Sequence, residues 1–523
     1  MRIGALLNHE VSPHIQWIEL ASTLQIPSFH VIGLPGPEVN EARERVRAAI
    51  EASGFEFPRR RVILNLAPAS IRKRGTGLDL PMALAVLRSG LADPETDDSL
   101  LAWGELGLDG RIKPAGQVLR TLHAAWNAGV ARVLFPPEEA GAARRALRLL
   151  AEAEAFAGPP PRLLIAGDLR VAWEAAQGRV PADTEVETSP PVPVQAPPGL
   201  MPLAPALERA IAVSAVGAHH LLLLGPRGTG KSHALDWLAW LQPRPTSTER
   251  LSHALLAELR QTSPIPSDPG APVRRISSQV RPGALLGSVD AESVRPGEFS
   301  LADGGLILAD EFPEWPRDSR EIFREPLERG VISLTRAHSC GTVELPARFT
   351  LAANGNLCAC GGWPPELPVP RHILEEGGRV PRCRCSAGTR VQYLGKLSGP
   401  ILDRMDVVLF VLSPRGRVRS QPERPARAQE LADRVTTLRA ALRKDLGAPP
   451  GQLPPSRIDG MLRERPAWSE ALDQLARGSL RARHKIVRVA LTLAAWDGAE
   501  EPTFGHIAEA SSFRPEALGL GGG

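Results

Sequence analysis

The chain has 523 residues, 43% of them hydrophobic, enough to bury several cores, so two to four domains are expected. No run approaches the roughly 18 consecutive apolar residues a membrane helix needs, and the opening MRIGALLNHEVSPH has neither a basic leader nor a long apolar core, which predicts a cytoplasmic protein. Lys+Arg 62 against Asp+Glu 58 leaves only +4, carried almost wholly by arginine; a GC-rich genome explains that as well as phosphate binding does, so charge alone names no nucleic-acid partner.

In chain order, FHVIGLPG reads as a strand, Val39 through Glu51 as a helix, RRVILNLAP as a strand and DLPMALAVLRSG as a helix. A turn at Leu108-Asp109-Gly110 leads to a helix near TLHAAWNAG and the strand-like VARVLFPP, so residues 1–178 are expected to form an α/β or α+β domain. Residues 179–200 are dense in proline and read as a semi-rigid linker. HLLLLGPRGTGKSHALDWLAWL then reads as buried strand, glycine loop and helix, and GGLILADEF as a second buried strand, both parallel-sheet signals. These open a domain expected over 201–446. A second proline-rich break at 447–456 precedes helical periodicity, giving a small helical domain over 457–523.

The segment Gly225-Pro226-Arg227-Gly228-Thr229-Gly230-Lys231-Ser232 satisfies G-x-x-x-x-G-K-[ST]. Glycines let backbone N–H groups wrap phosphates, Lys231 would reach the β- and γ-phosphates of ATP, and the Ser232 hydroxyl would bind Mg²⁺. Leu221–Leu224 supply the preceding strand, and the following helix favours an anion at its N-terminus. Asp310 and Glu311 close the apolar LILADE. Alone, such a pair is ordinary surface charge; beside a phosphate loop, the aspartate suits the Mg²⁺ shell and the glutamate suits polarising water.

Four of the five cysteines form two C-x-C pairs, Cys358/Cys360 and Cys383/Cys385, within a stretch expected to be an insertion (357–390). Four thiolates suit a structural, tetrahedral Zn²⁺ site. The spacing is tighter than C-x-x-C, which leaves free or redox-active thiols open and a disulfide as the remotest choice. His372 is a possible substitute ligand; Cys340, at the tip of a predicted hairpin between VISLTRA and TVELPARF, is excluded.

Together, SFHVIGLPG, EARERVRAAIEASGFEFPRRRVILNLAPA, LDLPMAL and GELGLDGRIKP, followed by GEFSLADGGLILADEFPEW, REPLERGVISLTRA, PARFTLAANGN, KLSGPILDRMD and SLRARHKIVRVA, resemble the magnesium-chelatase-like AAA+ ATPases of the ComM/YifB type over roughly residues 15–510. The resemblance implies a P-loop AAA+ core, an N-terminal domain shaped like the proteolytic domain of Lon (ribosomal S5-type α/β) and a C-terminal helical lid. The stretch equivalent to Lon's serine loop is Gly75-Thr76-Gly77-Leu78-Asp79, which lacks a nucleophile, so no peptidase activity is expected. Asn356 would be the first sensor, placing the attacking water. Arg404 would be a finger completing a neighbouring subunit's site, contributing on the order of 10³–10⁵ in rate, and Arg481 would be the second sensor at the nucleotide. Without the flanking motif, Arg404 between Asp403 and Asp406 would be read as an ordinary ion pair. The family's N-P-C-P-C-G and C-R-C-S motifs stand here as Asn356 to Gly361 and Cys383 to Ser386.

Where relatives carry R-P-F-R-x-P-H-H, this chain has Ala271 to Ser278 without histidines, and a glutamine motif is missing around Leu203 to Glu208. Cations expected to line a pore are Arg274, Arg275 and Arg281 in one insertion, and Arg336 with His338 near a hairpin tip; each is otherwise ordinary loop charge. The implied function is a hexameric, ATP-driven DNA motor performing branch migration on recombination intermediates in natural transformation. A chelatase-like or protein-remodelling ATPase is the alternative, and a degenerate nucleotide-binding scaffold ranks last.

Overall fold

The computed structural model describes residues 2–7, 12–34, 36–67, 75–89, 99–181, 200–260, 270–290, 293–335, 342–369, 380–412, 425–475, 479–515 and 520. Arg336, His338, Cys340, His372 and most of the proline-rich linker lie outside them.

The N-terminal part is a mixed seven-stranded sheet in the order Ser28–Ile32, Arg61–Leu66, His14–Thr23, Arg2–Leu7, Ser99–Ala102, Arg132–Phe135, Arg162–Ile165. Alternation builds it: in RVILNL, Val62, Leu64 and Leu66 are fully buried while the residues between them are half-exposed. Helices Pro37–Ala52 and Asp79–Arg88 pack together. Asp79 is fully buried and accepts Arg45 Nε at 2.8 Å, Arg45 Nη2 at 3.1 Å and the Leu106 N–H at 3.2 Å. Burial pushes its carboxyl above the usual range, with Arg45 opposing that shift.

The second sheet is five-stranded and wholly parallel, ordered Val273–Ile276, Leu306–Ala309, Thr350–Gly355, Leu221–Leu224, Val407–Phe410. Both its faces are covered, which is why Leu221–Leu224 can be an unbroken apolar run. Leu221 and Leu223 enter a core shared with helices near the C-terminus; Leu222 and Leu224 enter another with Phe299, Trp363 and Phe410. The fold is thus mixed α/β with a wholly parallel second sheet.

Pro425–Leu446, assigned by sequence to the ATPase domain, puts Ala428 and Val435 into the core that Ile458, Val489 and Ile507 occupy, and it packs on Pro205–Gly217 and Leu480–Asp497. The break at 447–456 is a close approach, since a Cβ on Gly451 would lie 2.5 Å from the Ala218 carbonyl oxygen.

Helix Ser247–Leu259 joins the two sheets' domains. It begins with a Thr246/Glu249 capping box, and Leu251 and Ala254 are buried in the N-terminal core. Arg250 pairs with Glu152 at 2.7 Å. At its far end the Glu258 carboxylate accepts the N–H groups of Leu119 and Arg120 at 3.0 and 2.9 Å. Those amides open helix Val118–Asn127, whose N-cap residue Gln117 makes no side-chain cap bond. Glu258 therefore caps a helix 138 residues away in sequence. Glu258→Ala is expected to speed amide hydrogen exchange at Leu119 and Arg120 about tenfold, a capping contribution near 1.4 kcal/mol, while exchange in Asp79–Arg88 stays unchanged.

Candidate nucleotide site and cysteine cluster

The phosphate loop leaves the C-terminal end of Leu221–Leu224, between the strands Thr350–Gly355 and Val407–Phe410. Gly225 is required by space: a Cβ there would meet the Val411 carbonyl oxygen at 2.1 Å. Gly228 and Gly230 adopt φ of 73° and 83°, open to glycine at little cost. Gly230 caps helix Lys231–Trp240, whose first N–H groups, free of intrahelical partners, face the loop. Lys231 Nζ donates to the carbonyls of Gly225 at 2.9 Å and Pro226 at 2.6 Å, and Thr229 Oγ1 donates to Pro226 at 3.0 Å. Burial lowers the Lys231 ammonium to about 8, against the pull of Glu311.

Asp310 and Glu311 follow the next strand but one, and a residue not singled out by sequence organises them. Asn354 Nδ2 donates to Asp310 Oδ1 at 2.6 Å and to Ser232 Oγ at 3.3 Å, and its Oδ1 accepts the Glu311 N–H at 2.9 Å. Trp315 Nε1 fixes the Asp310 carbonyl at 2.9 Å, and Glu311 has φ of 51°. Asn356, the expected sensor, lies beyond the strand end and approaches Lys231 Nζ at 3.4 Å. LAANGN offers two asparagines, and of these Asn354 pairs in register with the phosphate-loop strand, opposite Leu223.

Arg274 and Arg275 were expected in a pore-facing insertion. They sit in the edge strand Val273–Ile276, where alternation sends them to opposite faces. Arg274 meets Glu298, its Nε at 2.6 Å, and Arg260 shares that carboxylate at 2.7 Å. Arg275 pairs with Asp236 and, at 3.3 Å, with Asp310, so it belongs to the nucleotide site's electrostatics. Arg281, at the N-terminus of Pro282–Leu286, is exposed.

Arg404 and Arg481 lie at the other end of the sheet. Val407 pairs with Leu221 in a parallel register, so Arg404 precedes one strand's start while Gly225 follows the other's end. A four-residue strand, about 13 Å, separates the two levels. Arg404 pairs not with Asp403 or Asp406 but with Glu328, and donates to the carbonyls of Arg324 at 3.0 Å and Pro400 at 2.7 Å. Arg481 binds the other oxygen of Glu328. Arg481, expected as the second sensor at the nucleotide, sits beside Arg404. Behind them, Lys485 Nζ donates to the Arg404 carbonyl at 2.8 Å and to Asp406 Oδ1 at 2.5 Å, and Asp406 Oδ2 accepts the His220 N–H at 2.8 Å.

The four cysteine sulfurs all lie within 4.8 Å of one another. Cys358 to Cys383 is 3.2 Å and Cys360 to Cys383 is 3.5 Å, close to the roughly 3.7 Å that sulfurs take around tetrahedral zinc at about 2.3 Å. N–H groups of Gly362 and Cys385 point at the sulfurs of Cys360 and Cys383. Burial pushes the Cys358 thiol up, whereas backbone N–H donation, that of Arg384 foremost, lowers Cys360. The donor set therefore fits a structural Zn²⁺, and both C-x-C pairs converge on one point. Trp363 anchors the cluster: its ring stands edge-on to Phe410 at 5.0 Å, and its backbone exchanges bonds with Pro381 and Cys383. Gly361 lies against the phosphate loop, with Arg227 Cγ 2.9 Å from where its Cβ would be.

The family model described as magnesium chelatase, subunit ChlI, matches residues 204–417; two further models of that subunit match 18–139 and, for its C-terminal part, 426–514. An uncharacterised protein of Mycobacterium tuberculosis is 32% identical over 516 residues, 95% of either chain. The competence protein ComM of Haemophilus influenzae is 29% identical, covering 93% of this chain and 92% of its own, and YifB of Escherichia coli 28%, covering 95% and 93%. The chain belongs to the magnesium-chelatase-like family of the ComM/YifB type. This AAA+ membership implies ATP and Mg²⁺, and no helix among the described residues is long and apolar enough to cross a membrane.

Two outcomes are expected. Protein purified under reducing conditions carries one zinc per chain by elemental analysis, and Cys383→Ser releases it and lowers the melting temperature. A bound phosphate should raise the Lys231 pKa from about 8, so ATP binding at about pH 8.5 takes up a proton and affinity falls as pH rises through that region. Calorimetry in buffers of different ionisation enthalpy measures this uptake, which Lys231→Met should abolish.

Proposed function

We propose that this protein is a ring-forming ATPase that drives DNA, as a branch-migration motor of the ComM type working on recombination intermediates. The observation that carries the reading is the division of cationic and catalytic groups between the two ends of one parallel sheet. Gly225–Ser232, Asp310 and Glu311 stand at one end, while Arg404 and Arg481 stand about 13 Å away at the other. A copy of the chain can complete its site only by receiving another copy's arginines, and repetition of that head-to-tail contact closes a ring, a hexamer in this reading.

Within the site, the amides of Gly228–Lys231 and the Lys231 ammonium bind the phosphates. Ser232 and Asp310 would hold Mg²⁺, which when bound would neutralise phosphate charge. Glu311, its backbone fixed by Asn354, polarises the water that attacks the γ-phosphate. Asn354, touching Ser232, Asp310 and Glu311 at once, takes the sensor role first given to Asn356. Arg404 and Arg481 of the neighbour offset charge as the γ-phosphate departs. The N-terminal domain is read as Lon-like without peptidase chemistry, and the C-terminal helices as the lid.

The relative named as a competence protein supports DNA as the substrate. One observation favours protein remodelling instead: Arg274 and Arg275 are neutralised by Glu298, Asp236 and Asp310, which leaves Arg281 as the cation of these three with no carboxylate partner among the described residues. Steady-state ATPase assays separate the two. On the DNA reading, branched or single-stranded DNA raises turnover several-fold, less so at high salt, and Glu311→Gln binds ATP without turning it over. Turnover indifferent to either DNA at both salt concentrations would move the assignment to a protein client.

A further inference from the structure

Arg404 and Arg481 come from segments 77 residues apart in sequence, yet their guanidinium groups share one carboxylate, Glu328, one on each oxygen. Two cations side by side repel unless an anion stands between them. Arg404 is held still more closely: Nε bonds the Arg324 carbonyl, Nη1 the Pro400 carbonyl and Nη2 Glu328, and its side chain is only 13% exposed. Three fixed acceptors define the plane of a rigid, five-donor group and leave two N–H bonds unspent. Arg481, by contrast, is 44% exposed and takes its orientation from Glu328.

Glu328 also has a mechanical connection. It lies in the short helix Arg324–Arg329, which passes through Gly330 straight into the hairpin of Val331–Thr335 and Thr342–Pro346. Arg329, next along, bonds Glu325 of that helix and Glu344 of the returning strand. The carboxylate that gathers the arginines therefore belongs to the base of the hairpin whose tip was expected to meet the substrate.

We infer that Glu328 is a positioning residue: it assembles Arg404 and Arg481 into a paired receptor that meets the neighbouring subunit's triphosphate as one unit, and it ties that receptor to the hairpin. The inference rests on the proposed ring reading. A single carboxylate holding two guanidiniums leaves one net positive charge, and the approaching phosphate meets donors already oriented, which is the condition for electrostatic stabilisation without reorganisation. Since Glu328 has no phosphate-loop partner among the described residues of its own chain, its removal should harm only the neighbour's reaction.

The test uses the full chain. Glu328→Ala is expected to lower kcat for ATP at least tenfold with KM within about twofold of wild type, and binding of a fluorescent ATP analogue and the melting curve should be unchanged. Glu328→Asp should restore part of the rate, and Glu328→Gln, with one acceptor oxygen, should fall between. Mixing Glu328→Ala with Lys231→Ala subunits, each inactive or nearly so alone, should recover turnover, because the second brings intact arginines to the first's intact phosphate loop. Failure of the mixture to recover would reduce Glu328 to a structural role, and a Glu328→Gln faster than wild type would make it a competitor of the phosphate; either overturns the inference. Arg404→Ala decides between failures: if it turns over normally, the ring reading itself falls, whereas a dead Arg404→Ala beside a normal Glu328→Ala sinks only the role of Glu328.

Discussion

One buried carboxylate, Asp406, joins the parts that must act together. It is 1% exposed, binds Lys485 on one oxygen and the His220 N–H on the other, and His220 immediately precedes the strand that ends at the phosphate loop. Burial alone would raise its pKa, but Lys485 and the surrounding histidines and Arg488 outweigh this and hold it below the usual carboxylate range. Removing either partner alone would strand a buried charge, at a cost of about 3–5 kcal/mol. Lys485 stands one turn beyond Arg481 on helix Leu480–Asp497 and also bonds the Arg404 carbonyl. The strand of one nucleotide site and the two arginines at the far edge thus share a single electrostatic root.

That root explains why the helical layer cannot be treated as an appendage. Its core takes Leu221 and Leu223 from the sheet, and its long first helix lies on the N-terminal side of the sequence break that composition suggests as a boundary. The other face, with Leu222, Leu224, Trp363 and Phe410, carries the cysteine cluster. Each face of one four-residue strand therefore supports a different device: arginine placement on one side, and a four-cysteine cluster beside the phosphate loop on the other.

What the sequence displayed, it displayed locally. The phosphate loop, the LILADE strand and the two C-x-C pairs are contiguous, and their chemistry is set by spacing within a few residues. Pairings across the fold were hidden. Arg274 and Arg275 look like loop cations until the parallel register with Leu306–Ala309 makes them edge-strand residues facing Glu298 and Asp310. The choice between Asn354 and Asn356 depends on where the strand ends, a matter of one or two residues that periodicity does not resolve. Arg481 was recognised by its neighbours in sequence, but the end of the sheet it occupies follows from how the helical layer docks. Glu258, an unremarked acid at the end of a helix, became a cap only when two domains were brought together.

The Glu258 clamp changes what the proline-rich stretch before Leu200 does. With Leu251 and Ala254 buried in the N-terminal core and Glu258 seated on helix Val118–Asn127, the docking of the two domains is specified by surfaces and not by the covalent connection. The covalent connection then need only keep those two surfaces on one chain, and the entropic cost of closing a longer connection grows only slowly with its length. Such a segment is free to vary in length and composition, whereas the helix that follows the phosphate-loop helix is not.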